Sequence, residues 1–547
     1  MNHSKYRAYP SFEFSQRTWP AKRITKAPYW CSVDLRDGNQ ALEVPMDLEQ
    51  KLDFFKFLTK VGFTEIEIGF PAASDTEYIF TRSLIDGNII PDGVVIQVLT
   101  QARDHIMEKT FEALNGVKKA VVHLYNSTST LQRDVVFNKN KDEIKELAVY
   151  GAKRIKELAE KYGRERFIFE YSPESFTGTE MDYALEVVNA VLDIWQPDEE
   201  HKAIINLPST VEMTTPNIYA DQIEFICANI KYRENVIISL HAHNDRGCAV
   251  AASELGILAG ADRIEGTLFG NGERTGNADI LTIAMNMYSQ GIDMGLDFSD
   301  VDEIISVYEN STDMKVHERH PYAGSLVFTA FSGSHQDAIK KGMARLGNNY
   351  DKWEIPYLPI DPTDLGRSYE AIIRINSQSG KGGVSYILEK NYGVVMPKPM
   401  QQEFGSIATR ASDMGHKELS HSEIFELFNE SYINLESPVS LISYSEKANG
   451  DSSVTAKVLI DETEKTIEGE GNGLISAFCN AIAKALNISF DIKNYSEHSL
   501  DYGSKSRAIT YIHICDENGK DYFGAGVSSS ISKSSLKAVV SAVNRKL

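Results

Sequence analysis

The sequence predicts an α/β chain in three parts: a TIM-type (β/α)8 barrel, a helical linker region and a C-terminal α+β domain. Three observations carry this reading. Short β-rich runs alternate eight times with helix-like segments between about residues 29 and 270, polar residues collect at the ends of those runs, and after about residue 435 two glycine-bearing halves echo one another. The expected bounds are 1–325 for the barrel with an N-terminal extension, 326–434 for the linker and 435–547 for the last domain.

The eight runs are 29–35, 64–70, 94–100, 119–126, 166–172, 203–208, 236–243 and 263–269. They are short, rich in β-branched residues and separated by crossover-length helical segments such as 142–162 and 219–230, which predicts parallel strands. Eight βα units close a barrel; a doubly wound open sheet is the alternative, since it shares the alternation. Barrel enzymes place their chemistry at C-terminal strand ends. Here those ends carry Arg36 and Asp37 after the first run, and His123 on the fourth. Glu174 and Thr210 follow the fifth and sixth, His241 and His243 end the seventh, and the loop Gly270 to Asn277 follows the eighth.

Past about residue 280 the pattern turns to helices and connectors, with Pro356-Tyr357-Leu358-Pro359 and Asp361-Pro362 among them. In the last domain, the first half reads as strands 454–460 and 465–468, glycines 469–473 and a helix to about 486. The second half reads as strand 507–515, an Asn518-Gly519 turn, Gly524-Ala525-Gly526 and a helix from about 533. Asn-Gly between alternating strands signals a hairpin, and glycines before a helix either expose backbone N–H groups to an anion or allow tight packing.

Composition narrows the class. With 42% hydrophobic and 24% charged residues the chain reads as soluble and globular. A net charge of −21 opposes general attraction to nucleic acid or an anionic membrane, so an anionic ligand needs a local site. The five cysteines are dispersed with no CxxC pair, which suits a reduced compartment. No apolar stretch reaches the about 18 to 20 residues that span a bilayer, and the polar start lacks a signal-peptide core; the expectation is the cytosol.

The chemistry centres on His241-Ala242-His243. At the end of a strand, period two puts both imidazoles on one face, about 6 to 7 Å apart, where they can share a metal ion or act as hydrogen-bonded core residues. Asp37, at the end of the first strand, lies near strands seven and eight in a closed barrel and completes a two-His, one-carboxylate set with open positions. Arg36 offers a planar fork for a carboxylate or oxyanion, or else an ion pair with Asp37 or a neighbour. The glycines of 270–277 permit close approach to a ligand or form a tight turn. That loop is neither a Walker A sequence nor a dinucleotide fingerprint.

Taken together, Asp34 to Gln40, Asn206 to Glu212, His241 to Asp245, Gly270 to Asn277, Gly333 to Asp337 and Pro356 to Pro362 resemble the metal-dependent condensing and lyase barrel superfamily. Within it they are similar to the longer, actinobacterial-style 2-isopropylmalate synthase family, from about residue 20 to Leu547. Asn39 stands where many superfamily members have Glu, and the longer synthases share it.

The resemblance implies an acyltransferase that condenses acetyl-CoA with 3-methyl-2-oxobutanoate and water to give 2-isopropylmalate and CoA. It implies a divalent ion, Mg2+ first and Mn2+ or Zn2+ otherwise, on Asp37, His241 and His243, with Asn277 as a further ligand or neighbour. Arg36, His123, Ser172, Glu174 and Thr210 would line the oxo-acid pocket, with Tyr357 shaping it. His335 would be the base that deprotonates the acetyl methyl, aided by Glu273. The C-terminal domain would bind leucine for feedback inhibition around Gly471, Asn472, Gly473, Tyr495 and Gly526, in a homodimer. Rival readings are a homocitrate or citramalate synthase, a metal-dependent lyase or aldolase on the same barrel, and a leucine sensor without catalysis.

Overall fold

The computed structural model describes residues 5, 9–10, 12, 14–330, 332–347, 351–368, 381–415, 419–449, 451–500 and 506–547. The chain divides into two compact units: Met1–Val327 with Ile360–Ser368, and Phe328–Pro359 with Tyr369–Leu547. Ile360–Ser368, within the expected linker, is thus part of the barrel unit, where Arg367 reaches Asp302 at 2.6 Å and the Gly324 carbonyl at 3.1 Å.

The first unit is a closed, all-parallel barrel. Its strands are β1 Tyr29–Ser32, β2 Glu65–Gly69, β3 Val95–Gln101, β4 Ala120–Ser127, β5 Phe167–Glu174, β6 Ala203–Ser209, β7 Val236–Ala242 and β8 Arg263–Gly266. Each predicted run overlaps one of them, β3 to β6 running one or two residues further than expected, and pairing of β1 with β8 excludes the open sheet. Outer helices begin where local chemistry satisfies their free N–H groups. Asp47 and Gln50 form a capping box on the helix Leu48–Val61, and Asn140 and Glu143 do the same for Lys141–Tyr162. Between barrel and helices lie buried apolar side chains such as Phe54, Phe111, Phe169, Ile205 and Leu240.

β1 is shorter than predicted because the chain leaves the sheet after Ser32. Asp34–Gly38 winds into a wide helical turn in which the N–H groups of Arg36, Asp37 and Gly38 all donate to the Val33 carbonyl. Wide turns of this kind recur at functional sites because they re-aim side chains.

The second unit contains two three-stranded antiparallel sheets, each followed by a helix. The first half is β9 Val439–Asn449, β10 Asp451–Ile460, β11 Thr463–Gly471 and the helix Leu474–Leu486. The second is β12 Phe490–Ser499, β13 Ala508–Asp516, β14 Asp521–Ser528 and the helix Ile531–Lys546. The echo read from the sequence is real, and each half gains a leading strand that the sequence reading lacked. β12 is exposed along most of its length, so it carries little apolar alternation to detect. The glycines mark close packing: a Cβ on Gly471 would meet the Ala477 nitrogen at 2.6 Å, and one on Gly526 the Ser534 oxygen at 2.0 Å. Helix and sheet therefore approach more closely there than any side chain allows.

Candidate active site

Strand ends from around most of the barrel converge on a cavity of about 170 Å³ at its C-terminal mouth. Arg36, Asp37, His123, Ser172, Glu174, Thr210, His241, His243 and Glu273 all line it, as do Gln40, Tyr125, Asn206 and Arg274. The sequence-predicted site residues of the barrel are thereby brought together, with Asn277 hydrogen bonded behind them.

The period-two spacing of β7 and its extension sets His241 and His243 side by side, ring centroids 5.3 Å apart and both buried. The Nε2 atoms of His241 and His243 lie 3.4 and 3.6 Å from the Asp37 carboxylate, and the three ligand atoms all fall within 4.8 Å of one another. Asn277 reaches this cluster because the loop after β8 folds back along β7, with the Ala278 N–H donating to the Ala242 carbonyl at 2.8 Å and the Asn244 N–H to that of Gly276 at 3.0 Å. Glycine is required at Gly276, where φ is +97° and a Cβ would collide with the Gly270 carbonyl. The loop is a tight turn that positions Asn277, whose side-chain N–H donates to Asp37 at 2.7 Å.

Charge in the cluster is unevenly held. Burial would raise Asp37, but Arg36 at 2.8 Å and the two histidines hold its carboxyl well below the usual range. For His241, burial is outweighed by hydrogen bonds to Asp37 and Glu265, which lift it to about 9. Burial and the neighbouring His241 push His243 down to about 4. The donor set suits a divalent ion: two imidazole nitrogens and an ionised carboxylate converge, while Asn277 Oδ1 and His243 Nδ1 are buried without a partner.

Arg36 lines the cavity and makes the expected ion pair, with both Asp37 and Glu67. Glu174 accepts a hydrogen bond from Ser127, and Thr210 Oγ1 accepts one from the Ser175 N–H at 2.9 Å. His123 Nε2 lies 2.7 Å from Ser172 Oγ, and its Nδ1 lies 2.8 Å from Glu67. Glu273 accepts from Gln40 at 2.9 Å.

Sequence reasoning missed a buried layer beneath this mouth: Glu67, Gln97, Glu170, Arg263 and Glu265, all inaccessible to solvent. Glu265 orients His241 by accepting from its Nδ1 at 2.8 Å. A signal was present, since Glu-Ile-Glu in β2 and Arg-Ile-Glu in β8 put charges at alternate positions of strands short enough to be buried.

His335 and Tyr357 belong to the second unit, where their rings stack at 4.0 Å between centroids. Of the residues expected around an effector, Gly471, Asn472 and Gly473 form the turn from β11 into its helix, whereas Tyr495 and Gly526 lie in the other sheet on β12 and β14.

Residues 27–307 match the HMGL-like family, 325–389 the alpha-isopropylmalate synthase post-catalytic domain-like family, and 418–547 the LeuA allosteric (dimerisation) domain. A 2-isopropylmalate synthase of Acetoanaerobium sticklandii is 59% identical over all of this chain and 97% of its own length. The 2-isopropylmalate synthase of Clostridium acetobutylicum is 56% identical over all of this chain and 99% of its own. That of Helicobacter hepaticus is 55% identical with both chains covered completely. The chain belongs to the 2-isopropylmalate synthase family. It is an acyltransferase-type condensing enzyme on a closed barrel, and it carries the family's allosteric domain after it. Among the described residues no helix is long and apolar enough to cross a membrane.

Proposed function

We propose that this chain condenses acetyl-CoA with 3-methyl-2-oxobutanoate and water, giving 2-isopropylmalate and CoA at the first committed step of leucine biosynthesis. The observation that carries this is the convergence of Arg36, Asp37, His241 and His243 on one cavity, in a chain 55 to 59% identical to three curated synthases along its whole length. Asp37, His241 and His243 would hold a divalent ion, with Asn277 beside them. Their mixed N/O set leaves Mg2+, Mn2+ and Zn2+ open, and the family resemblance puts Mg2+ first. When bound, the ion supplies positive charge to the keto oxygen and carboxylate of the oxo acid.

The chain's own side chains do the rest. Arg36, with its guanidinium fixed by Asp37 and Glu67, faces the cavity with charge that favours an oxyanion over a neutral carbonyl. Ser172, Thr210 and Glu174 place hydroxyl and carboxylate oxygens around the oxo acid, and His123 orients Ser172. His335 removes a proton from the acetyl methyl, a task that calls for a base near neutral pKa, with Glu273 and Tyr357 assisting. The resulting carbanion attacks the keto carbon, and hydrolysis of the thioester drives the reaction forward.

The allosteric (dimerisation) domain supports an effector site and a homodimer as the working form; the effector we assign is leucine, at Gly471, Asn472, Gly473, Tyr495 and Gly526. Leucine shifts activity only by binding one arrangement of the chain more tightly than another. Five unpaired cysteines and the absence of a membrane-crossing helix among the described residues fit the cytosol. The test is thiol release from acetyl-CoA across a panel of 2-oxo acids. The highest kcat/KM should fall on 3-methyl-2-oxobutanoate; preference for pyruvate or 2-oxoglutarate would reassign the chain to citramalate or homocitrate synthesis.

A further inference from the structure

Beneath the cavity the barrel interior holds more carboxyls than it can keep ionised. Glu67, Glu170 and Glu265 are all inaccessible to solvent, and the guanidiniums among them are Arg36 and Arg263. Arg36 is shared between Glu67 and Asp37, and Arg263 between Glu265 at 2.8 Å and Glu65 at 2.7 Å. Like carboxylates confined to one low-dielectric site do not all ionise, and the group with the fewest donors is the one that keeps a proton.

The donors identify that group. Glu67 receives Arg36 and the Gln97 amide at 3.1 Å, and lies 2.8 Å from His123 Nδ1. Glu265 receives Gln97 at 2.9 Å, Arg263 at 2.8 Å, His241 at 2.8 Å and Asn206 at 3.1 Å. Both oxygens of Glu170 are buried without a hydrogen-bond partner, and its nearest cation, Arg263, stands off at 3.6 Å. Burial and the adjacent Glu265 also push its carboxyl well above the ordinary range.

Glu170 is two residues from Ser172 on β5, so both side chains point into the barrel, Glu170 one layer deeper. Between them and across from them is His123, whose Nε2 lies 3.5 Å from Glu170 Oε1 and 2.7 Å from Ser172 Oγ. Ser172 and His123 line the cavity. The buried carboxyl therefore stands one 3.5 Å step from His123, which is itself hydrogen bonded to the cavity-lining Ser172.

We propose that Glu170 is the proton-holding residue of this layer and that it supplies, through His123 and Ser172, the proton that quenches the tertiary alkoxide formed in the condensation. The proposal rests on the synthase reading above. As the acetyl carbon bonds to the keto carbon, the carbonyl π pair moves onto oxygen. The Glu170 O–H breaks as its proton passes to the Nε2 lone pair of His123, whose Nδ1–H stays on Glu67. Nε2 then gives a proton to Ser172 Oγ while Ser172 gives its own to the alkoxide. One O–H bond is lost at Glu170 and one is gained by the product hydroxyl. Glu170 is left as a carboxylate that regains its proton from solvent once the product leaves the mouth. Glu170 touches no substrate; it is a positioning residue that acts through His123.

The Glu170→Gln variant keeps the volume and removes the acidic proton. In the full chain, the infrared carbonyl stretch of a protonated carboxyl should be present before substitution and lost after it. Condensation should fall by more than about tenfold, within the range a positioned acid contributes, while KM for the oxo acid stays within about twofold. In D2O, the ratio of deuterium entering unreacted acetyl-CoA to product formed should rise, because an alkoxide that is not quenched reverts. An unchanged infrared band, or an unchanged ratio with exchange and condensation falling together, would overturn the proposal. Should that variant not fold, Ser172→Ala must raise the same ratio, and failure to do so overturns the proposal equally. If the unsubstituted chain releases no thiol with any 2-oxo acid, the synthase reading falls, and the infrared band still decides whether Glu170 holds a proton.

Discussion

Replacing Glu265 by Gln should weaken metal binding although Glu265 is not itself among the proposed ligands. Its two oxygens accept from four donors, Gln97 and Arg263 on one side and His241 and Asn206 on the other. A carboxylate can accept from all of them, whereas an amide must turn its NH2 group toward one donor pair whichever way it flips. If the NH2 faces His241, the Nδ1–H loses the acceptor that aims Nε2 at Asp37. If it faces Arg263, a buried guanidinium loses a partner. Loss of an outer-shell acceptor of this kind typically lowers metal affinity about 10- to 100-fold, or ~1.4–2.7 kcal/mol. The guanidinium, which keeps Glu65, Gln97 and Ser239, would lose one acceptor at a cost of ~1–3 kcal/mol of stability. Competition against a chromophoric chelator measures the first, and thermal unfolding of the metal-free chain the second. A correctly folded variant whose metal affinity stays within about twofold of the unsubstituted chain would refute the argument.

Three further outcomes are expected. Chelation should abolish thiol release, and His243→Ala should lower metal affinity while the far-ultraviolet circular dichroism of the barrel is retained; full activity in metal-stripped enzyme would remove this site from consideration. His320 places Nε2 3.0 Å from Asp279 and Nδ1 2.9 Å from the Pro321 carbonyl, so although burial opposes it, Asp279 raises this histidine above its ordinary value of about 6.5. The sign follows: its stabilisation is complete below about pH 6.5 and is lost as pH rises through the raised folded value, so the pH dependence of unfolding above 6.5 should flatten in His320→Gln. Gly524→Ala should destabilise the second unit by ~1–3 kcal/mol or more in denaturant titration, because a Cβ there would meet the Ala542 nitrogen at 2.2 Å, whereas Gly473→Ala, which meets open space, should be close to neutral.

Much of the fold was legible because it is written locally. The eight β-rich runs, the helices between them and the Asn518-Gly519 hairpin each depend on a few neighbouring residues, and each appears where expected. The site was legible for the same reason: Asp37, His241 and His243 sit at strand ends, and a closed barrel gathers strand ends at one mouth. β12 escaped notice because its side chains are mostly exposed, so nothing imposes alternation on them. Gly471 and Gly526 looked equally suited to cradling an anion or to packing; the helices lying against them show what packing demands, a fact that no local pattern encodes.

The sequence by itself determined the alternation of elements, the strand ends that bear chemistry and the internal echo of the last domain. Only the tertiary structure decided which buried charges meet. Asn277 bonds to Asp37 across 240 residues of chain, Gln97 to Glu265 across 168, and His123 to Glu67 across 56. Such pairs exist because β8 returns to β1 and closes the barrel, bringing inward-facing positions of non-adjacent strands into one dry interior. There a carboxyl's protonation is set by how many donors reach it, and closure, rather than any stretch of sequence, leaves Glu67 and Glu265 well supplied and Glu170 without a donor.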